Sequence, residues 1–147
     1  MNIEIVIITA LNFLFYALII RYLLRLEEIG CECAMTFKRK YILYFTSVNL
    51  ILMLLSLTNV MDNFRKNKDL YGVFIMVYSM SSLLNIFYTI QYVNELKEMN
   101  CDCSESYYRE MMYIFAIIDA IMVFLKLLIV ISFTTNLMVM KTIKKKK

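Results

Sequence analysis

Four long apolar runs dominate the chain, at about Ile5–Leu24, Tyr41–Met61, Leu70–Val93 and Met111–Val139. Each approaches or exceeds the roughly 20 apolar residues that carry a helix across about 30 Å of hydrocarbon. Polar residues gather between the runs. A charged, cysteine-bearing segment follows the first and third, and the short link Asp62–Asp69 separates the second from the third. The pattern predicts an all-α fold, a bundle of four transmembrane helices made of two helical hairpins. Residues 1–61 form the first hairpin, 62–69 a polar linker, 70–140 the second hairpin and 141–147 a basic tail.

The two hairpins read as one unit written twice. Cys31-Glu32-Cys33 and Cys101-Asp102-Cys103 are offset by 101 − 31 = 70 residues, and the same offset aligns Tyr22 with Tyr92, Leu26 with Leu96, Glu28 with Glu98, Arg39 with Arg109 and Phe45 with Phe115. A unit holding two spans returns to its starting side, so both copies enter the membrane in the same direction, as a parallel internal repeat. Both cysteine turns then share one side, and the termini and linker share the other. Gly30 and Asn100 occupy equivalent places. These residues best tolerate the left-handed conformation that stops a helix. Ser104 is the expected N-cap of the fourth helix, with Thr36 serving in the first copy, where Ala34 cannot.

Composition supports a lipid setting. Of 147 residues, 61% are hydrophobic and 19% charged, and the mean hydropathy is +0.65. A soluble domain of this size has too little interior to hide that much apolar surface. The first run lacks a basic leader and a small-residue cleavage site, so it is expected to be a permanent span rather than a signal peptide. The chain has no Pro and only two Gly, which leaves little to break its helices. It also has no His, the commonest general base and metal ligand. No catalytic residue, cofactor or resident metal is expected.

Polar side chains recur at one depth. Asn12 lies 19 residues before Cys31, Asn49 lies 18 after it, and Ser82 and Asp119 take the same places in the second copy. At 1.5 Å per residue these positions fall roughly 13 Å below the flanking charges, near mid-membrane. They are expected to form one interhelical polar layer. An ionised Asp119 there is disfavoured by about 2.5 kcal/mol or more, so it is expected to face the bundle interior. Ala116 and Ala120 flank it at small-xxx-small spacing, which suits close helix approach. Lys126, two turns further on, is expected to snorkel towards the nearer interface. The layer's two readings are hydrogen-bonded glue between helices and a proton or ion path through Asp119.

The four cysteines Cys31, Cys33, Cys101 and Cys103 are compatible with a disulfide set, unpaired thiols or a four-thiolate zinc site. Bridges between the two turns are geometrically easy if the tips meet, whereas a bridge within one C-x-C is strained. Zinc turns more often use C-x2-C. A thiol oxidoreductase coupled to a membrane quinone is a third functional class. Glu32 and Asp102 beside the thiols argue against it, because their charge disfavours a reactive thiolate.

Basic residues divide almost evenly between the two sides. The cysteine side carries seven, including Lys38, Arg39 and Arg109, and the opposite side eight, including Lys144, Lys145, Lys146 and Lys147. The terminal lysines fit a cytosolic dilysine retrieval signal or a tail held near anionic headgroups. Either use puts both termini in the cytosol and the cysteine turns in the lumen. Lys38, Arg39, Arg109 and the tail are the candidate membrane or partner contacts. A basic tail on a membrane anchor does not indicate nucleic acid.

The stretch Leu26-Glu27-Glu28-Ile29-Gly30-Cys31-Glu32-Cys33-Ala34-Met35-Thr36-Phe37-Lys38-Arg39, with its second copy Leu96 to Arg109, resembles a motif of small multi-pass membrane proteins of giant DNA viruses. That motif reads approximately L-E-x-x-x-C-x-C-[SA]-x-x-W-[RK]-R. Here Phe37 and Tyr107 replace the Trp, and Tyr108 replaces the first basic residue of the second copy. The resemblance covers about a third of the chain. It implies a structural protein of the virion's internal membrane, lying beneath the capsid, and no known activity. Together with the retrieval-like tail it places the chain in membrane drawn from the host endoplasmic reticulum, with capsid or scaffold proteins as expected partners and self-association as a further one. A viroporin-like channel built on Asp119 is the alternative.

Overall fold

A computed structural model describes residues 3–56, 64 and 66–145, with side chains described outside 3–5, 8, 126–127 and 129–145. The fold is all-α. The apolar runs become four long helices: α1 (Ile3–Glu28), α2 (Phe37–Ser56), α3 (Lys68–Glu98) and α4 (Tyr107–Lys145). Short 3-10 turns, Glu32–Ala34 and Asp102–Ser104, join α1 to α2 and α3 to α4. Helix α3 starts two residues inside the expected linker because Asn67 caps it, its side chain accepting from the Leu70 N–H at 3.3 Å.

Helix α1 packs on α2, α2 on α3 and α3 on α4, and α4 closes back onto α1. The α2–α3 seam is aromatic. Phe37, Tyr41 and Phe45 lie one turn apart on α2, and Tyr41 and Phe45 meet Tyr88 and Tyr78 of α3 at ring separations of 5.1 and 5.9 Å. The α1–α4 contact is made by Phe15 with Phe115 and by Tyr22 with Tyr108.

The buried core sits at the cysteine end. Ile19, Tyr22, Leu23 and Leu26 of α1 meet Ile42 of α2, Tyr92 and Leu96 of α3 and Met112 of α4 beneath Cys31, Ala34 and Cys101. Among the described side chains, none before Ile19, none from 50 to 88 and none from 117 to 125 is buried. These segments instead expose large apolar residues such as Leu11, Leu14, Ile51, Val73, Met76, Phe87, Ile121 and Phe124. Eight buried positions of the first half recur 70 residues later as buried positions of the second: 19, 22, 23, 26, 31, 34, 42 and 46 pair with 89, 92, 93, 96, 101, 104, 112 and 116.

Among the described residues, two helices are long and apolar enough to cross a membrane, Thr9–Glu28 and Lys68–Glu98, with hydropathies of 1.4 and 1.6. Four such runs were expected. Lys38, Arg39 and Lys40 occupy the first turn of α2, and the apolar run of α4 continues into residues whose side chains are outside those described.

Candidate functional site: the cysteine-bearing tip

Each tip is built by the same stop signal. Gly30 has φ +64° and Asn100 φ +47°, both left-handed. The Cys31 N–H donates to Leu26 O at 3.0 Å and the Gly30 N–H to Glu27 O at 3.1 Å; Cys101 to Leu96 O and Asn100 to Lys97 O repeat this at 3.1 Å each. This paired pattern is the Schellman motif, which satisfies the last carbonyls of the helix. It also sets the first cysteine of each turn directly over the core, since the residue after the left-handed one packs back on the helix. Cys31 and Cys101 are accordingly buried, while Cys103 is exposed.

The expected cap is found at the start of α2 but not of α4. Ser104 lies in the 3-10 turn and its hydroxyl donates to Cys101 O at 2.7 Å, so it does not cap α4. Ser106 takes that place, its Oγ accepting from the Tyr108 N–H at 3.3 Å. Thr36, 70 residues earlier, accepts from the Arg39 N–H at 3.4 Å at the start of α2. The 3-10 turn uses up the residues that a direct turn-to-helix transition would have left for capping.

The four sulfurs form one cluster, all within 4.8 Å of each other. They are joined crosswise, Cys31 to Cys103 and Cys33 to Cys101, with Cα separations of 5.8 and 6.1 Å. Exchanging the two halves by the 70-residue offset turns one bridge into the other. Both bridges run between hairpins and neither lies within a C-x-C.

Two buried tyrosines fasten the tips beneath the sulfurs. The Tyr22 hydroxyl donates to Ser104 O at 2.7 Å, and the Tyr92 hydroxyl donates to Ala34 O at 3.1 Å. Each tyrosine thus reaches from one hairpin to the backbone of the other's turn. The sequence aligned these two residues without revealing a role. Their placement in apolar runs at the shared offset was the available signal, but a backbone acceptor leaves no trace in residue type.

The candidate contact cations are engaged inside the fold. Arg39, expected to face a membrane or partner, is 2% exposed; it donates to Leu23 O at 3.2 Å and to Glu27 at 2.5 Å. Lys38 pairs with Glu95 of α3. Arg109 bonds Ser104 Oγ and Glu110, both at 3.3 Å, and Lys97 bonds Glu110 at 2.7 Å. The hydrogen bond from Lys97, with help from Arg109, holds the Glu110 carboxyl below the usual range. The helix-to-helix ion pair is reversed between hairpins: acid on α1 and base on α2, then base on α3 and acid on α4. The Lys144 and Lys145 side chains, with Lys146 and Lys147, lie outside the described residues, as does the Lys126 side chain.

The expected polar layer is gathered only in part. Asn12 and Asn49 line one cavity of about 350 Å³ with Tyr16 and Tyr78, and Tyr78 donates to Asn49 Oδ1 at 2.5 Å. Asp119 lines a neighbouring cavity of about 40 Å³ with Tyr16, Thr46, Asn85 and Thr89. Asp119 remains solvent-accessible on the isolated chain while lining that cavity. Ser82 lines neither cavity. Helix α3 contributes Tyr78 to one and Asn85 to the other, because equal depth along a helix does not fix which way a residue faces.

No family model, no curated protein and no solved structure matches this chain.

Proposed function

We propose that this chain is a structural integral membrane protein, made of two like hairpins whose locked tips present one rigid surface. The observation that carries the reading is the reciprocal fastening of the tips: two bridges and two tyrosine hydrogen bonds, every one joining one hairpin to the other. Such a device fixes relative position.

The membrane placement rests on the helices below the tip. Two are long and apolar enough to cross, and large apolar side chains face outward along all four. Such extended apolar exposure would drive aggregation in water, and lipid tails solvate it. The recurrence of the buried positions at the 70-residue offset supports a duplicated hairpin, with both tips on one side.

The resemblance to giant-virus membrane proteins supplies the setting. In this reading the protein lies in the virion's internal membrane, drawn from host endoplasmic reticulum, and its tip or basic tail meets a capsid or scaffold protein. It is not an enzyme, and Asp119 is an interhelical polar group. Mass spectrometry of purified particles, before and after alkaline carbonate extraction, tests the reading. The chain is expected in the membrane pellet of particles; its release by carbonate, or its absence from particles, would refute the assignment. Asp119→Asn in reconstituted vesicles tests the pore alternative. Absent or unaltered proton flux removes that alternative, and flux abolished by the substitution would replace the structural reading.

A further inference from the structure

We propose that the reduced tip is a zinc site, in which Cys31, Cys33, Cys101 and Cys103 hold one Zn²⁺ as four thiolates in a state that excludes the two disulfides. The inference goes beyond the structural role above and depends on neither the membrane nor a virus.

Zinc–thiolate bonds of about 2.3 Å arranged tetrahedrally place the sulfurs about 3.8 Å apart along every edge. Four of the six sulfur pairs here are not bonded to each other. Their separations are 3.8 Å for Cys31–Cys33, 3.8 Å for Cys101–Cys103, 3.7 Å for Cys31–Cys101 and 3.4 Å for Cys33–Cys103. The other two edges are the disulfides, which are free to lengthen once reduced. A C-x-C spacing is unusual for zinc, but the 3-10 turn brings both sulfurs of each pair to the required separation without a further residue.

The backbone under the cluster is held by more than the disulfides. The Schellman stops and the Tyr22 and Tyr92 hydrogen bonds also tie both turns in place. A site held ready in this way loses less on binding than one assembled from a free chain. Access is provided at the Cys33–Cys103 edge, where Cys103 is exposed and Cys33 half-buried. Glu32 and Asp102, both exposed and adjacent in sequence to Cys33 and Cys103, add negative charge to the tip that attracts a divalent cation.

The chemistry balances in two steps. Each disulfide takes two electrons and two protons from a dithiol reductant, which becomes a disulfide in turn, and the chain then carries four thiols. Zn²⁺ displaces four protons from those thiols and forms four zinc–sulfur bonds, with no change in oxidation state.

The test uses the full chain in detergent micelles. It is reduced anaerobically with a phosphine until four thiols are counted, then titrated with Co²⁺ and afterwards with Zn²⁺. The expected result is one Co²⁺ per chain with the intense visible bands of a tetrahedral tetrathiolate, bleached by Zn²⁺, and no such bands for the oxidised chain. The double substitution Cys33→Ser with Cys103→Ser should weaken binding by at least about 100-fold, since even outer-shell changes cost 10–100-fold. Reduced chain showing four thiols but no tetrathiolate bands overturns the proposal, as does one metal per two chains. Near-ultraviolet circular dichroism covers loss of tip structure on reduction: Zn²⁺ must restore the aromatic signal, and failure to restore it is equally fatal.

Discussion

Removing one oxygen atom from Tyr22 should destabilise the tip more than removing its counterpart from Tyr92. Both rings are deeply buried, at 4% and 0% exposure, and both hydroxyls donate to a backbone carbonyl across the hairpin interface. The acceptors differ. Ala34 O also accepts from the Thr36 N–H at 3.0 Å, so it keeps a partner when Tyr92 becomes Phe. Among the described residues, Ser104 O accepts only from Tyr22. Tyr92→Phe should therefore lose a net hydrogen bond, about 0.5–1.5 kcal/mol, while Tyr22→Phe should leave a buried carbonyl unsatisfied, about 1–3 kcal/mol. The fully buried Ser104 side of the interface offers no water to soften the loss. Reversible unfolding in mixed micelles, followed by near-ultraviolet circular dichroism with the disulfides intact, measures both variants against the parent. Equal losses, or a larger loss for Tyr92→Phe, would refute the assignment of unequal acceptors.

Three further outcomes follow from the same geometry. A protease that cuts at acidic residues can cleave at Glu32 and Asp102 and so separate the cysteines of each turn; non-reducing peptide mapping should then recover Cys31 linked to Cys103 and Cys33 linked to Cys101, and recovery of Cys31 with Cys101 would contradict the crosswise pairing. Leu96→Ala, at a fully buried position, should cost about 2–5 kcal/mol in the same unfolding assay, whereas Leu83→Ala, at 46% exposure, should cost far less. Glu110 has a depressed carboxyl pKa in the folded chain, so its contribution is complete above the unfolded carboxylate value and is lost as pH falls through the lower folded value; Glu110→Gln should flatten that acid limb, and an unchanged limb would show that the Lys97 and Arg109 contacts carry no linkage.

Local signals in the sequence were legible where the physics is local. Gly30 and Asn100 mark left-handed stops because few other residues enter that conformation cheaply, and both are found there. The all-α fold follows from long apolar runs bounded by polar segments. Features set by the meeting of the two hairpins were hidden. Arg39 reads as an interfacial cation beside Lys38 and Lys40, yet its guanidinium turns inward to Leu23 O and Glu27. Ser104 reads as a cap because it follows a turn, but the 3-10 geometry moves the cap to Ser106. Ser82 shares a depth with Asn12 and Asn49 but not their cavity, because depth advances with each residue while facing repeats only every 3.6.

Among the described residues, burial is concentrated at one end, and this has a mechanical consequence. The helices are fastened to one another at the cysteine tip and less fully packed beyond it, where α2 and α3 still share their aromatic seam. A unit held in this way keeps its shape at the tip. In a lipid sheet its girth further out would then be free to follow the packing of the surrounding chains, while the tip stayed constant.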